Sequence, residues 1–232
     1  MDNFTNIHYK YADPDSNKIN DLCKNLIGAK ININYAITLN NNQMNGIINN
    51  CNITGDILEN IIYPYIKDHI NSFEEGPKQS SPDYWNNNKM YEWELKTFMN
   101  SPGFDISNFI SYINQLIEPN GLMRKLLKTK YLIFKYSISN NTILIEDFIM
   151  CNVWNLINYN GKYPISLQNK KGTWYNIRPC SFNEIKNKSK TPDIFINKII
   201  EAIRVCPNEL NNKDIIINNL LDQYNNLFVD KF

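Results

Sequence analysis

The order of periodic signals along the chain predicts an α/β fold with a central mixed β-sheet flanked by α-helices. Three observations carry that expectation. Ile57, Leu58, Ile61, Ile62, Tyr65, Ile66 and Ile70 recur at helical spacing. Aromatic-rich runs of strand length, 80–86 with 89–98 and 131–138 with the following TILIEDFIM, are broken by asparagine turns. The overall succession of helix, strands, helix, strands, helices then asks for one sheet with helices around it.

Composition bounds what such a fold can do. The 232 residues are 43% hydrophobic, 12% aromatic and 20% charged, which suits a folded interior. A net charge of +1 gives no gross electrostatic excess toward nucleic acid or membrane. Abundant Asn and Ile, with Ala and Val scarce, read as the codon bias of an AT-rich genome, so a single Asn carries little information. No apolar run approaches the ~20 residues that span a bilayer, and the first residues, MDNFTNIHYKYADPDS, offer no signal-peptide core. Five scattered cysteines with only His8 and His69 beside them argue against structural zinc. A reduced, soluble, cytoplasmic protein with no membrane partner is expected.

Short helices are expected at 18–29 and 43–50. Thr54 is a plausible N-cap for the next helix, which Pro64 would kink or divide. Helices are also expected at 105–116 and around 122–128. A further hairpin spans 163–178, turning at Lys170-Lys171-Gly172. Thr191-Pro192-Asp193 opens a C-terminal helix with a cap, a first-turn proline and an early carboxylate, and 213–228 is another. No linker divides the chain, so residues 1–232 read as one domain. A catalytic core at about 54–150, a recognition region at about 151–190 and C-terminal helices at 191–232 are expected within it.

The informative stretch runs from Ser80 to Thr97. Side chains alternate faces on a strand, so Glu94 and Lys96 project together, about 7 Å apart. Tyr91, Trp93 and Leu95 project the other way, toward a core. A hairpin turning at Asn88-Lys89 sets Asp83 opposite Glu94, and one turning at Asn87-Asn88 sets it opposite Glu92. In either register Asp83 shares the face of Glu94 and Lys96. Adjacent carboxylates repel unless a cation sits between them, and hard cations such as Mg²⁺ take carboxylate and phosphate oxygens. A neighbouring ammonium can orient a water or balance charge on phosphate. Two acids, a lysine and no suitable histidine therefore favour metal-assisted phosphodiester hydrolysis over acyl transfer.

Pro82-Asp83, ten residues, then Glu94-Leu95-Lys96 resembles the signature of the PD-(D/E)xK nuclease superfamily. Gly55-Asp56-Ile57-Leu58-Glu59 looks like the upstream helix with an inward glutamate that the superfamily often carries. Glu94-Leu95-Lys96-Thr97 is similar to the motif of the MutH and MvaI/BcnI branch, although the gap from Asp83 is longer. The resemblance covers roughly residues 54–98, and size and organisation resemble a type II restriction endonuclease. It implies a restriction-endonuclease-like fold and Mg²⁺-dependent, sequence-specific hydrolysis of double-stranded DNA, with 5′-phosphate and 3′-hydroxyl ends. By position it makes Asp83 and Glu94 metal ligands, with the Leu95 carbonyl completing the sphere. Lys96 would position or activate water, and Glu59 would support the metal or the lysine. A homodimer is implied if the target is palindromic, though that branch contains monomers, and a companion DNA methyltransferase is expected.

Other readings compete. Glu94 and Lys96 on a solvated sheet face would be an ordinary ion pair worth a few tenths of a kcal/mol. Glu59 lies at the rim of its helix's apolar stripe, where exposed glutamates are common, and Glu92 fits a solvated edge. Pro192-Asp193 and Glu184-Ile185-Lys186 repeat parts of the signature in the wrong order. Candidate DNA contacts are Lys78, Gln79, Lys170, Lys171, Arg178, Lys186, Lys188 and Lys190; loop polarity, a solvated basic cluster or a braced turn explains each as well. A structure-specific repair nuclease and a catalytically silent DNA-binding or interaction protein are the alternative functions.

Overall fold

The computed structural model describes residues 15–33, 36–39, 42–45, 51–77, 81–207, 210 and 212–229. Helix α1 (Ser16–Asn25) and strand β1 (Lys30–Asn32) precede a small hairpin, β2 (Ala36–Leu39) with β3 (Asn42–Asn45). Helix α2 (Cys51–Lys67) leads into β4 (Phe73–Glu75), β5 (Tyr84–Asn86) and β6 (Glu92–Phe98). A two-residue β7 (Ser107–Asn108), α3 (Phe109–Ile117), α4 (Gly121–Met123) and a π-helical turn (Arg124–Lys128) then deliver the long strands β8 (Thr129–Ser139) and β9 (Thr142–Cys151). The remainder is α5 (Val153–Leu156), β10 (Leu167–Lys170), β11 (Thr173–Ile177), α6 (Phe182–Asn187), α7 (Pro192–Val205) and α8 (Lys213–Val229).

The main sheet has six strands in the order β1-β9-β8-β6-β5-β4. It is mixed: β6 and β8 run parallel, from Glu92↔Thr129 to Phe98↔Lys135, while the other pairs are antiparallel. Parallel neighbours need a long crossover, and α3, α4 and the π turn supply it. A second sheet, β10-β11-β7, flanks this crossover. The turn at Asn140-Asn141 takes positive φ at both residues (48° and 59°), the geometry that joins two right-twisted strands tightly.

Strands buried on both faces read as continuous apolar runs, and β8 behaves so. Tyr131 and Ile133 enter a larger core built with α3, α7 and α8, through residues such as Ile113, Phe195 and Leu220. Leu132 and Phe134 enter a smaller core against α1 and α2, where they join Leu22, Leu58 and Ile62. Trp93 and Leu95 of β6 point into that smaller core, as alternation requires.

Several boundaries differ from expectation. Residues 42–45 form a strand rather than the start of a helix, and 46–50 lie outside the described residues. Helix α2 starts at Cys51, so Thr54 is inside it, and it continues past Pro64 to Lys67 rather than dividing. Helix α3 starts at Phe109 because Ser107 and Asn108 pair with Ile177 and Asn176 of β11. The Asn108 side chain then caps it, accepting from the Ser111 amide at 3.1 Å. The helix expected around 122–128 is a π turn over Arg124–Lys128.

Candidate active site

The hairpin expected to carry the chemistry pairs Tyr84 with Trp93 and Trp85 with Glu92. Continued by one residue, this register sets Asp83 across from Glu94, the first of the two arrangements open in the sequence. The turn passes through Lys89 at φ 56°. Asp83 is then fixed by its own carboxylate: Oδ2 accepts from the Leu95 amide at 2.6 Å. From behind, the amide of Gly76 donates to the Asp83 carbonyl at 2.7 Å. A Cβ on Gly76 would meet the Pro82 carbonyl oxygen at 1.8 Å, so only glycine permits this approach.

Glu94 does not lie on a solvated face. It is 6% exposed, on the side of β6 that faces the larger core beside Tyr131. Its Oε1 accepts from the Ser81 hydroxyl, and its Oε2 lies 3.8 Å from the Lys96 ammonium. Glu92, expected at a solvated edge, is also buried. It accepts from the Thr129 hydroxyl at 3.0 Å and pairs with Arg124 at 3.6 Å, so it is satisfied structurally. Charges buried this way require partners or a ligand.

Asp83, Glu94, Lys96 and Glu59 all line one cavity of about 660 Å³, together with Asp56, Glu75, Ser81, Tyr112, Lys125 and Tyr131. Burial, and then the charge of Glu94, pushes the Asp83 carboxyl up to about 6; Lys96 and the Leu95 amide pull it down, and Glu59 adds repulsion. Glu59 stands on α2, where a Cβ added to Gly55 would lie 3.5 Å from the Thr97 hydroxyl of β6. Partial desolvation and then Asp56 raise the Glu59 carboxyl, with Lys96 opposing. The helix and the hairpin thus bring the expected residues together.

The candidate DNA contacts are more dispersed, and none of those among the described residues lines that cavity. Lys78 and Gln79 lie outside the described residues. Lys170 and Lys171 are exposed at the tip of the β10–β11 hairpin, with Lys170 5.2 Å from the centre of the Tyr175 ring. Arg178 pairs with Asp105 at 2.8 Å and donates to the Gly103 carbonyl at 2.6 Å, bracing the segment before β7. Lys186 pairs with Asp147. Lys188 is exposed at the end of α6, in the left-handed conformation. Lys190 turns inward, donating to the Ile157 carbonyl at 2.9 Å and lying 3.0 Å from the Cys180 sulfur.

Sequence reasoning passed over Lys125. It sits on the π turn, 3% exposed, with burial lowering its pKa and Glu94 and Glu92 opposing. RKLLKTK offered no signal for it, because an inward lysine and a solvated one look alike in a basic run. Gly76 was legible only as punctuation.

Fold and site define a restriction-endonuclease-like α/β protein. A family model described as NgoBV restriction endonuclease matches residues 16–231, and the chain belongs to that family. It is similar to the type II restriction enzyme NlaIV of Neisseria lactamica, with 29% identity over 173 residues, 69% of each chain. The solved NlaIV restriction endonuclease superposes with a TM-score of 0.75 at 24% identity, covering 91% of this chain and 88% of that one. The chain is accordingly a site-specific DNA endonuclease of the type II restriction class. A divalent metal cofactor is what this family suggests. Among the described residues, no helix is long and apolar enough to cross a membrane.

Proposed function

We propose that the protein hydrolyses double-stranded DNA at a short specific sequence with Mg²⁺, leaving 5′-phosphate and 3′-hydroxyl ends. The observation that carries this reading is an acidic pair, half-buried Asp83 and buried Glu94, sharing one cavity with Lys96. The donor set fits a hard dication: two carboxylates share the cavity, and burial first, then the charge of Glu94, hold the Asp83 carboxyl above its ordinary range. Among the described residues no group of three His, Cys, Asp or Glu is arranged to hold a metal alone. Phosphate and water oxygens would therefore complete the sphere, with the Leu95 carbonyl. A bound dication supplies Lewis-acid charge to the phosphate.

The chain's own residues do the rest. Asp83 and Glu94 present carboxylate oxygens. Lys96 orients the attacking water and stabilises the hydroxide that forms, and Glu59 steadies the Lys96 ammonium from the cavity mouth. As the water oxygen bonds to phosphorus its proton passes to bulk water, the bond to the 3′ oxygen breaks, and that oxygen takes a proton from bulk water as it leaves.

The DNA-binding set belongs to the same proposal: Lys78, Gln79, Lys170, Lys171, Arg178, Lys186, Lys188 and Lys190. The division into a core at 54–150, a recognition region at 151–190 and C-terminal helices at 191–232 belongs to it too. Of the recognition candidates, the exposed hairpin lysines have the strongest support and Lys190 the weakest, because its ammonium already serves backbone carbonyls. A homodimer on a palindromic target, a companion methyltransferase and a cytoplasmic location complete the reading. Among the described residues Cys23, Cys151, Cys180 and Cys206 are free and buried, which suits a reducing compartment.

The test is digestion of phage DNA with Mg²⁺ by the unaltered protein, Asp83→Ala and Lys96→Ala, followed by mapping of the fragment ends. Discrete fragments lost with either substitution are expected. Cleavage unaffected by both, or cutting only of branched or mismatched DNA, would overturn the reading.

A further inference from the structure

The cavity that holds the acidic pair contains two donors that the reaction above does not use. Lys125 is 3% exposed, yet no carboxylate approaches its ammonium within 4.0 Å and no acceptor is hydrogen-bonded to it among the described residues. The acids near it are otherwise engaged. Glu92 is held by Arg124 and Thr129, Glu118 pairs with Arg124 at 3.5 Å, and Glu94 is turned to Ser81 and Lys96. Tyr112, 1% exposed on α3, has a hydroxyl with no hydrogen-bond partner among the described residues. Both side chains line the catalytic cavity, and the charge of Glu94 bears on both.

Buried polar groups are normally paired, and an unpaired one at a functional cavity points to a missing ligand. An ammonium and a phenolic O–H are both donors, so the ligand must be an acceptor, and an anionic one answers the ammonium. The backbone supports the same conclusion. Lys125 rides on the π turn Arg124–Lys128, a rare, widened turn that occurs mostly where a side chain is set for function. Gly121, just before it, comes so close to α3 that a Cβ would meet the Gln115 carbonyl oxygen at 2.0 Å. The turn is thereby held against the helix that carries Tyr112.

We propose that Lys125 and Tyr112 form a phosphate-oxygen subsite in the catalytic cavity, receiving a non-bridging oxygen of the scissile phosphate from the wall opposite the attacking water. This rests on the nuclease reading above and deepens it. Lys96 serves the attack; Lys125 and Tyr112 fix the phosphate and balance charge as it builds up in the transition state. Both touch substrate, so both are catalytic residues.

The test uses the full chain and a duplex carrying the mapped target, with each phosphorothioate diastereomer at the scissile position. Lys125→Met and Tyr112→Phe should slow single-turnover cleavage by about 100-fold, the scale for removing one oriented donor. For one diastereomer, the slowing that sulfur causes in the unaltered protein should shrink at least about 10-fold in Lys125→Met, because the contact sulfur disturbs is already gone. The other diastereomer should respond as in the unaltered protein. Lys125→Met should also melt no lower than the unaltered protein, since burial disfavours the charged form of that side chain. Near-normal cleavage by both variants, unchanged sulfur effects for both diastereomers, or a lower melting temperature for Lys125→Met would overturn the subsite. Cleavage that survives Asp83→Ala would instead overturn the nuclease reading beneath it.

Discussion

The amide of Gly76 donates to the Asp83 carbonyl at 2.7 Å, with the Pro82 carbonyl oxygen where a Gly76 side chain would begin. The end of β4 thus acts as the backstop of Asp83. Gly76→Ala must push the Pro82-Asp83 backbone aside. Displacements near 1 Å cost about 100-fold in rate. Cleavage by Gly76→Ala should fall by at least that factor under saturating DNA, whereas Gly55→Ala, with only an ordinary contact to Thr97, should stay within a few-fold. Steady-state digestion of both variants checks this.

Asp83 links the site to stability. Its carboxyl rises from 3.8 to about 6 on folding, with burial the first cause and Glu94 the second. Between these values the folded state binds more protons than the unfolded one, so stability falls as pH rises from about 4 to about 6 and stays lowered above. The penalty is on the order of 3 kcal/mol. Metal-free Asp83→Asn should therefore be more stable than the unaltered protein at pH 7.5, and the difference should vanish near pH 4. Added Mg²⁺ should raise the melting temperature of the unaltered protein and leave Asp83→Asn unchanged. Melting curves in chelator and in Mg²⁺ measure both effects.

Lys96 lies 3.8 Å from Glu94 with its side chain 21% exposed, open enough to meet water. Lys96→Met should lower single-turnover cleavage by about 1,000-fold, within the range for losing an acid–base group. Target binding, measured by mobility shift in Ca²⁺, should change little. An equal loss in binding and cleavage would make Lys96 a DNA-holding group instead.

The basic side chains outside the cavity separate by what they touch. Lys170→Ala and Lys171→Ala should each weaken DNA binding and lower the salt slope by about 1, without altering stability. Arg178→Ala and Asp105→Ala should each reduce stability by about 1 kcal/mol, and the double variant little more, because they remove one bracing contact. Salt titrations and denaturant melts distinguish the two behaviours.

The placement of the candidate hairpin was legible because strand alternation forces Asp83, Glu94 and Lys96 onto one face whichever asparagine makes the turn. The helix carrying Glu59 was legible from its apolar period. Beyond that, local pattern gave way to long-range contacts. The parallel pairing of β6 with β8 has no turn to announce it, so the burial of Glu92 and Glu94 beneath the crossover could not be read. Residues 42–45 are short and polar, and their pairing in a hairpin overrides a weak helical reading. A π turn adds one residue to a helical loop, which a 3.6 period does not register, so Lys125 merged into a basic run. Lys190 looked like its neighbours, yet it meets carbonyls at the end of α5. Glu184 illustrates the converse: its E-x-K lies on α6, where the glutamate completes a capping box with Ser181 and cannot share a strand face with Lys186.

The crossover between β6 and β8 also sets when the enzyme comes alive during synthesis. Residue 96 completes the acids and their lysine, but the wall that strips them of solvent arrives some thirty-five residues later, with Tyr131. A truncated or stalled translation product ending between those points exposes its carboxylates to bulk solvent and lacks Lys125 or its supporting strand. On the proposed site such a fragment should not cut DNA, so activity is expected only once synthesis has passed the middle of the 232-residue chain.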